Sequence, residues 1–432
     1  MPGGEDNAGV KRIELAYGRT GLTVEVRSDA DVIEPRHVPG LPDEADALRR
    51  ALRKPTSGPP LRDLVPRGAS IGISVCDVTR PFPGDRVLPI LLDELQSCGA
   101  GPITIFVATG THRICTPAEL ERMLGSEVLS ACELVQHDAF DAGRHRRVGT
   151  VLGTQTRALI ESAFVEQEVR ITTGFIEPHF FAGFSGGPKM IAPGLAAIET
   201  VLDLHSAARI GHPCATWGIT EGNPVHDGVR AIAARVGATF NLDVTLNREH
   251  TITNIFSGEL FGSHAAGCAF ARDTAMALVS APYDVVLTTN SGYPLDQNLY
   301  QSVKGMSAAA QIVKSGGSIV IVSECSDGLP DHGGYKDLLR RAAGPDAFLA
   351  RLFEPGFSVH DQWQVQVQAQ IQRKAEVFVK ADGLSAEEIR GAWLQPINDV
   401  AECVQSRLAA AGPGARLAVV PQGPQTIPYI AA

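Results

Sequence analysis

Short apolar runs recur along the chain, and each passes straight into a polar loop. Ile71, Ile73 and Val75 lead to Asp77-Val78-Thr79-Arg80-Pro81. Ile103, Ile105 and Val107 lead to Thr109-Gly110-Thr111-His112-Arg113. Val169 and Ile171 precede Gly174 and then Glu177-Pro178-His179. Val285, Val286 and Leu287 precede Asn290-Ser291-Gly292, and Ile319, Ile321 and Val322 precede Glu324-Cys325-Ser326-Asp327-Gly328. Runs this short, closed by turn-forming residues, predict buried strands. Leu88 to Leu95, Pro117 to Leu124, Ala197 to Ala208 and Val303 to Val313 read as the helices between them. Strands alternating with helices predict an α/β fold class with parallel-type sheets. In such sheets ligands bind beyond the carboxyl ends of the strands, which is where the chemically capable residues of this chain fall.

A chain of 432 residues is too long for one ordinary core, so two α/β domains are expected. The division is placed between Ala275 and Asp284, where one α/β series ends and another begins. This makes residues 1–275 an N-terminal domain and 276–412 a C-terminal domain. A Pro/Gly-rich tail, 413–432, follows, and its return to the first domain is left open. Residues before Lys11 are expected to be disordered, and 54–60 reads as a loop. A net charge of −10 argues against nucleic acid or an acidic membrane surface as partner. The eight cysteines are scattered with no C-x-x-C pair, the pattern of reduced thiols. With neither a signal peptide nor an apolar run of membrane-spanning length, a cytoplasmic location is expected.

Several strand-end residues are candidates for chemistry, each with a plainer reading beside it. Arg80, stiffened by Pro81 and Pro83, can bind a carboxylate through two parallel hydrogen bonds, or pair with Asp77 or Asp85. His112 and His179, on separate strand-end loops, suit proton exchange near neutral pH, or are structural. Gly186-Gly187-Pro188-Lys189-Met190 is not a nucleotide-binding P-loop, since Pro188 precedes the lysine and Met190 follows it. It reads either as a tight turn with a solvated lysine or as a fixed lysine suited to covalent cofactor attachment. His205, on the apolar face shared with Ile198, Val201 and Leu202, is a core histidine or a single metal ligand. No second ligand stands at helical spacing, so a metal there would need a cofactor to supply its other ligands. Tyr300, Gln301 and Lys304 open a helix and form either a substrate-facing patch or a solvated helix start.

Taken together and in order, these segments resemble the nickel-dependent lactate racemase family. The matching residues are Asp77-Val78-Thr79-Arg80-Pro81, Thr109-Gly110-Thr111-His112-Arg113, Pro178-His179, Gly186-Gly187-Pro188-Lys189-Met190, His205 and Tyr300-Gln301-Ser302-Val303-Lys304-Gly305-Met306. Asp361-Gln362-Trp363-Gln364 resembles a further family segment. The resemblance implies two α/β domains with the active site in the cleft between them. It implies nickel and a nickel pincer nucleotide, a pyridinium-3-thioamide-5-thiocarboxylic acid mononucleotide, attached to Lys189 with His205 as the protein ligand to nickel. His112 and His179 match the family's acid/base pair, and Asp77, Thr111 and Tyr300 its cofactor contacts. Arg80, Gln301, Lys304 and Trp363 match its substrate contacts. The implied activity is racemisation or epimerisation of a 2-hydroxy acid by hydride transfer, with separate maturation enzymes supplying the cofactor. Rival readings are the same chemistry on malate, an aromatic hydroxy acid or a sugar acid, a nickel-independent hydro-lyase, or a non-catalytic carrier.

Overall fold

The strand Ile71–Cys76 is buried at every position, as a strand covered on both faces must be. In this computed structural model, which describes residues 9–331 and 333–431, it lies inside a six-stranded sheet. The order is Ile252–Gly258, Phe240–Leu246, Val169–Phe175, Ile71–Cys76, Ile103–Ala108, Glu133–Gln136. All neighbours are parallel except the edge strand Ile252–Gly258. Helix Gly84–Ser97 turns Val87, Leu88, Leu91 and Leu95 inward at helical spacing, and helix Glu44–Arg53 adds Leu48 and Leu52 to the same core. Each fully buried aliphatic side chain contributes roughly 1.5–3 kcal/mol, so the strand ends are anchored to a rigid base. This sheet and its helices form one unit, His37–Thr274.

The second unit comprises Met1–Arg36 and Ala275–Ala432. Its six-stranded sheet is wholly parallel, in the order Gln395–Pro396, Glu376–Lys380, Val313–Val322, Tyr283–Thr289, Leu417–Val420, Asp31–Val32. The expected strands are present in both units, and the α/β class stands. Helix Pro117–Leu124 begins and ends as expected, set by a capping box between Thr116 and Glu119. The stretch Ala197 to Ala208 is two short helices, Ile198–Leu204 and Ala207–Ile210, with His205 at the end of the first. The helix expected from Val303 starts earlier, at Leu299–Ala310, and Val313 opens a strand instead.

The chain is grouped differently from the contiguous domains 1–275, 276–412 and 413–432. The hairpin Val10–Leu15 with Leu22–Arg27 packs Ile13, Leu15, Val24 and Val26 into one core with Val285, Leu287 and Val320. The tail supplies Leu417–Val420 to the same sheet, where it joins Asp31–Val32, and Ile427–Ile430 pairs with Met276–Val279. The tail therefore belongs to the second unit rather than to the first. Its short apolar strand is buried at all four positions, which only a central place in a sheet provides. Of the residues before Lys11 expected to be disordered, 1–8 lie outside the described residues, and Val10 opens a strand. Among the described residues no helix is long and apolar enough to cross a membrane.

Candidate active site

Three adjacent parallel strands, Val169–Phe175, Ile71–Cys76 and Ile103–Ala108, present their carboxyl ends side by side. From them come His179, then Asp77 and Arg80, then His112. With strands about 4.8 Å apart, the two outer strand ends stand roughly 10 Å from one another with the Asp77–Arg80 loop between them.

His112 Nδ1 is 2.7 Å from Asp77 Oδ2. The other carboxylate oxygen accepts from the Thr79 amide at 3.1 Å and the Thr79 hydroxyl at 2.5 Å. Burial works to raise the Asp77 carboxyl. The charge and hydrogen bond of His112, with help from Thr79 and Arg80, outweigh it and hold the group below the ordinary aspartate value. An ionised carboxylate there makes His112 donate from Nδ1 and leaves Nε2 as the basic nitrogen. The loop is tied down next door. Arg113 pairs with Glu119 at 2.6 Å, which pulls that carboxyl to about 2, and Glu119 is also half of the capping box. Thr111 lies in the same turn, partly exposed.

His179 sits in a tight hairpin, Pro178–His179 against Gly183–Phe184. The amides of Ala182 and Phe181 approach its Nδ1 at 3.3 and 3.5 Å. Nδ1 therefore carries the lone pair, and the neutral ring is protonated at Nε2, the opposite tautomer to His112. Arg80 meets neither Asp77 nor Asp85 in an ion pair. Its Nε lies 3.7 Å from Glu177 Oε1, and Nη1 donates to the Thr79 carbonyl at 3.1 Å.

Phe181, at the tip of that hairpin, gathers the remaining candidates around one ring. The His179 and His205 rings meet it edge-on at 4.5 and 5.1 Å, and Lys189 Nζ stands 5.9 Å from its centre. His205 Nδ1 donates to the Val201 carbonyl at 2.8 Å, which leaves Nε2 as the lone-pair nitrogen. A backbone carbonyl thus satisfies one nitrogen of the ring, and the other keeps its lone pair.

The Lys189 turn rests on buried polar groups distant from it in sequence. The Gly187 amide donates to Asp243 Oδ2 at 3.0 Å. Burial pushes the Asp243 carboxyl up to about 7, against the hydrogen bonds from Asn241 and Gly187. His264 Nε2 donates to the Ser185 carbonyl at 2.9 Å, and the His226 ring stacks on it at 6.0 Å. Burial brings both imidazoles down to about 4, so they are neutral supports at ordinary pH. Gly187 has φ +49°, and a Cβ there would stand 2.4 Å from the His264 ring. Glu177, Phe181, Asp243, His226 and His264 carry no motif of their own. Their only signal is position, next to or opposite residues that do.

The second unit holds the other candidates. Lys304 Nζ donates to Gln301 Oε1 at 2.7 Å across one turn of helix Leu299–Ala310. Tyr300 turns elsewhere, with its ring edge-on to Tyr335 at 5.4 Å and its backbone carbonyl accepting from Gln364. Burial, then the nearby Asp361 charge, hold the Tyr300 phenol well above its ordinary value, and a hydrogen bond from Trp363 offsets part of this. Trp363 is only 5% exposed and packs on His360, a core position, whereas Tyr293 is 42% exposed beneath Arg19.

Both units match known protein families. The family model for the lactate racemase N-terminal domain matches residues 17–218, and that for the C-terminal domain matches 278–427. The lactate racemase of Thermoanaerobacterium thermosaccharolyticum is 33% identical over 423 residues, 96% of this chain and 98% of its own length. The lactate racemase of Lactiplantibacillus plantarum is 32% identical over 383 residues, 88% and 90% of the two chains. The solved lactate racemase apoprotein from T. thermosaccharolyticum superposes with a TM-score of 0.90 at 32% identity, covering 97% of this chain and 100% of that one. A Thermotoga maritima protein, 18% identical with a TM-score of 0.70 over 91% of this chain and 100% of its own, shares the fold. The chain belongs to the lactate racemase family and is an isomerase.

Proposed function

We propose that the chain interconverts the enantiomers of lactate or a lactate-like 2-hydroxy acid, with His112 and His179 as its two acid/base groups. The observation that carries this reading is their opposite tautomers, on strand ends either side of Arg80. Racemisation needs a base for the hydroxyl of one enantiomer and an acid for that of the other, placed on different sides of the substrate. His112 Nε2 accepts the hydroxyl proton, and Asp77 stabilises the imidazolium that results. His179 Nε2 donates a proton from the opposite side, and the roles exchange in the reverse direction. Arg80 holds the substrate carboxylate, so that the planar 2-keto acid turns without leaving. Gln301 and Lys304, paired with each other across one helical turn, are proposed as further substrate contacts.

The α-hydrogen needs an acceptor that no side chain offers. Lys189, beside an aromatic face, and His205, whose Nε2 keeps its lone pair, fit a nickel pincer nucleotide tethered to the one and ligated by the other. The donor set supports this: one imidazole is too few for a metal site built by protein alone, and suits a group that brings its own ligands. When bound, this cofactor supplies an electron-poor acceptor for the α-hydrogen with its electron pair. Asp77, Thr111 and Tyr300 are assigned to its surroundings, and separate maturation enzymes would load it.

The test is to produce the chain together with cofactor-synthesis enzymes and record intact mass, nickel content and conversion of L-lactate to D-lactate. An adduct on Lys189, absent from Lys189→Ala, with bound nickel and racemisation is expected. Chain free of adduct from a host shown to make and attach the cofactor would refute the tether.

A further inference from the structure

A second set of metal-ligating side chains gathers around the hairpin His145–Thr150 and Arg157–Glu161, and it includes neither Lys189 nor His205. His137, His145 and Glu161 each offer one ligand atom, and these atoms lie within 4.8 Å of one another. Backbone carbonyls set both tautomers. His137 Nε2 donates to the Ala196 carbonyl at 3.1 Å, and His145 Nδ1 to the Asp141 carbonyl at 2.9 Å. The other nitrogen of each neutral ring is then a lone-pair acceptor. His137 Nδ1 faces Glu161 Oε2 at 3.3 Å, acceptor against acceptor, and His145 Nε2 is buried with no hydrogen-bond partner.

Arg144 satisfies part of the Glu161 carboxylate, but the buried lone pair of His145 Nε2 costs free energy unless a cation lies beside it. A proton on His137 would satisfy the Glu161 contact and still leave His145 Nε2 orphaned. Two imidazoles and a carboxylate are the ligands of three-residue zinc sites, with water completing the tetrahedron. We propose that His137, His145 and Glu161 bind a second metal ion, Zn²⁺ or a similar nitrogen-seeking divalent ion.

The ion is structural. The His137 carbonyl accepts from Thr109 Oγ1 at 2.7 Å, at the root of the His112 loop. Ala196 follows the Lys189 turn, and the Gly110 amide donates to Gly194 in the same segment at 2.9 Å. One ion would therefore pin the hairpin to both loops. Arg144 shares the carboxylate, reaching Glu161 Oε2 at 3.0 Å. Its charge opposes a cation, which favours an ion bound strongly through nitrogen over Mg²⁺ or Ca²⁺.

The test titrates Zn²⁺ into the chelator-treated full chain without cofactor and measures bound metal after desalting. One tight equivalent is expected, retained in His205→Ala. His145→Gln and Glu161→Gln should each lose it, weakening binding by more than the roughly 10- to 100-fold that loss of an outer-shell contact costs. Arg144→Gln removes the opposing charge and should tighten binding, a gain that misfolding cannot produce. Equal stoichiometry in wild type and His145→Gln, or binding that disappears with His205→Ala alone, would overturn the proposal. No lactate or pincer cofactor enters this experiment, so its outcome is independent of the racemase reading.

Discussion

Replacing Asp77 by Asn isolates what the buried carboxylate does for His112. Asp77 is 4% exposed and bonds the imidazole at 2.7 Å, so little water competes at the carboxylate. With charge centres about 4 Å apart, an imidazolium–carboxylate pair interacts by about 4 kcal/mol at an effective dielectric near 20. The His112 side chain is 42% exposed, which screens part of this, and about 2–3 kcal/mol is expected at the proton-transfer step. That corresponds to about 10²-fold in kcat. Asn adds a second effect, because its amide can donate to Nδ1 and drive the ring proton to Nε2, which removes the base. In other Asp–His pairs this takes the loss toward about 10⁴-fold. The assay is racemisation from each enantiomer, on enzyme of measured cofactor content. KM should change little, and Asp77→Asn combined with His112→Ala should be no slower than His112→Ala alone, since both act on one proton transfer. A loaded Asp77→Asn enzyme with wild-type kcat, or a double variant much slower than His112→Ala, would refute the reasoning.

Three further outcomes are expected. Gly187→Ala forces a side chain into left-handed backbone, at roughly 1–2 kcal/mol, and into the His264 ring; thermal unfolding should drop by a few degrees and adduct formation at Lys189 should fall. Asp243, with its carboxyl near 7 in the folded chain, holds a proton between about pH 4 and 7 that the unfolded chain has released. Its contribution to stability is therefore present at low pH and lost as pH rises through 7, by up to about 4 kcal/mol over the window. Urea unfolding of Asp243→Asn should show the variant gaining on wild type from pH 4 to 7, whereas parallel curves would show that Asp243 does not titrate there. Lactate carrying deuterium on its α-carbon should keep the label through racemisation; rapid exchange with solvent would point to proton abstraction from carbon instead.

The short apolar runs ending in Asp77, Thr109, Gly174 and Asn290 were legible because strand formation depends on neighbours along the chain. The α/β class and the strand-end position of His112, His179 and Arg80 followed from them. Partnership was not legible. Arg80 meets Glu177 rather than Asp77 or Asp85, because sheet order brings together loops that are far apart in sequence. Phe240-Asn241-Leu242-Asp243-Val244 alternates like a strand with one wet face, yet both faces are buried, because the Lys189 turn folds over the polar side and hydrogen-bonds to it. The N-terminal 36 residues and the tail likewise read as outliers to the second domain, until parallel pairing of Asp31–Val32 with Leu417–Val420 closes its sheet across nearly the whole chain. Local periodicity is written in adjacent residues. The tautomers of His112, His179 and His205 are set by a carboxylate, two amides and a carbonyl whose positions exist only once the chain has folded.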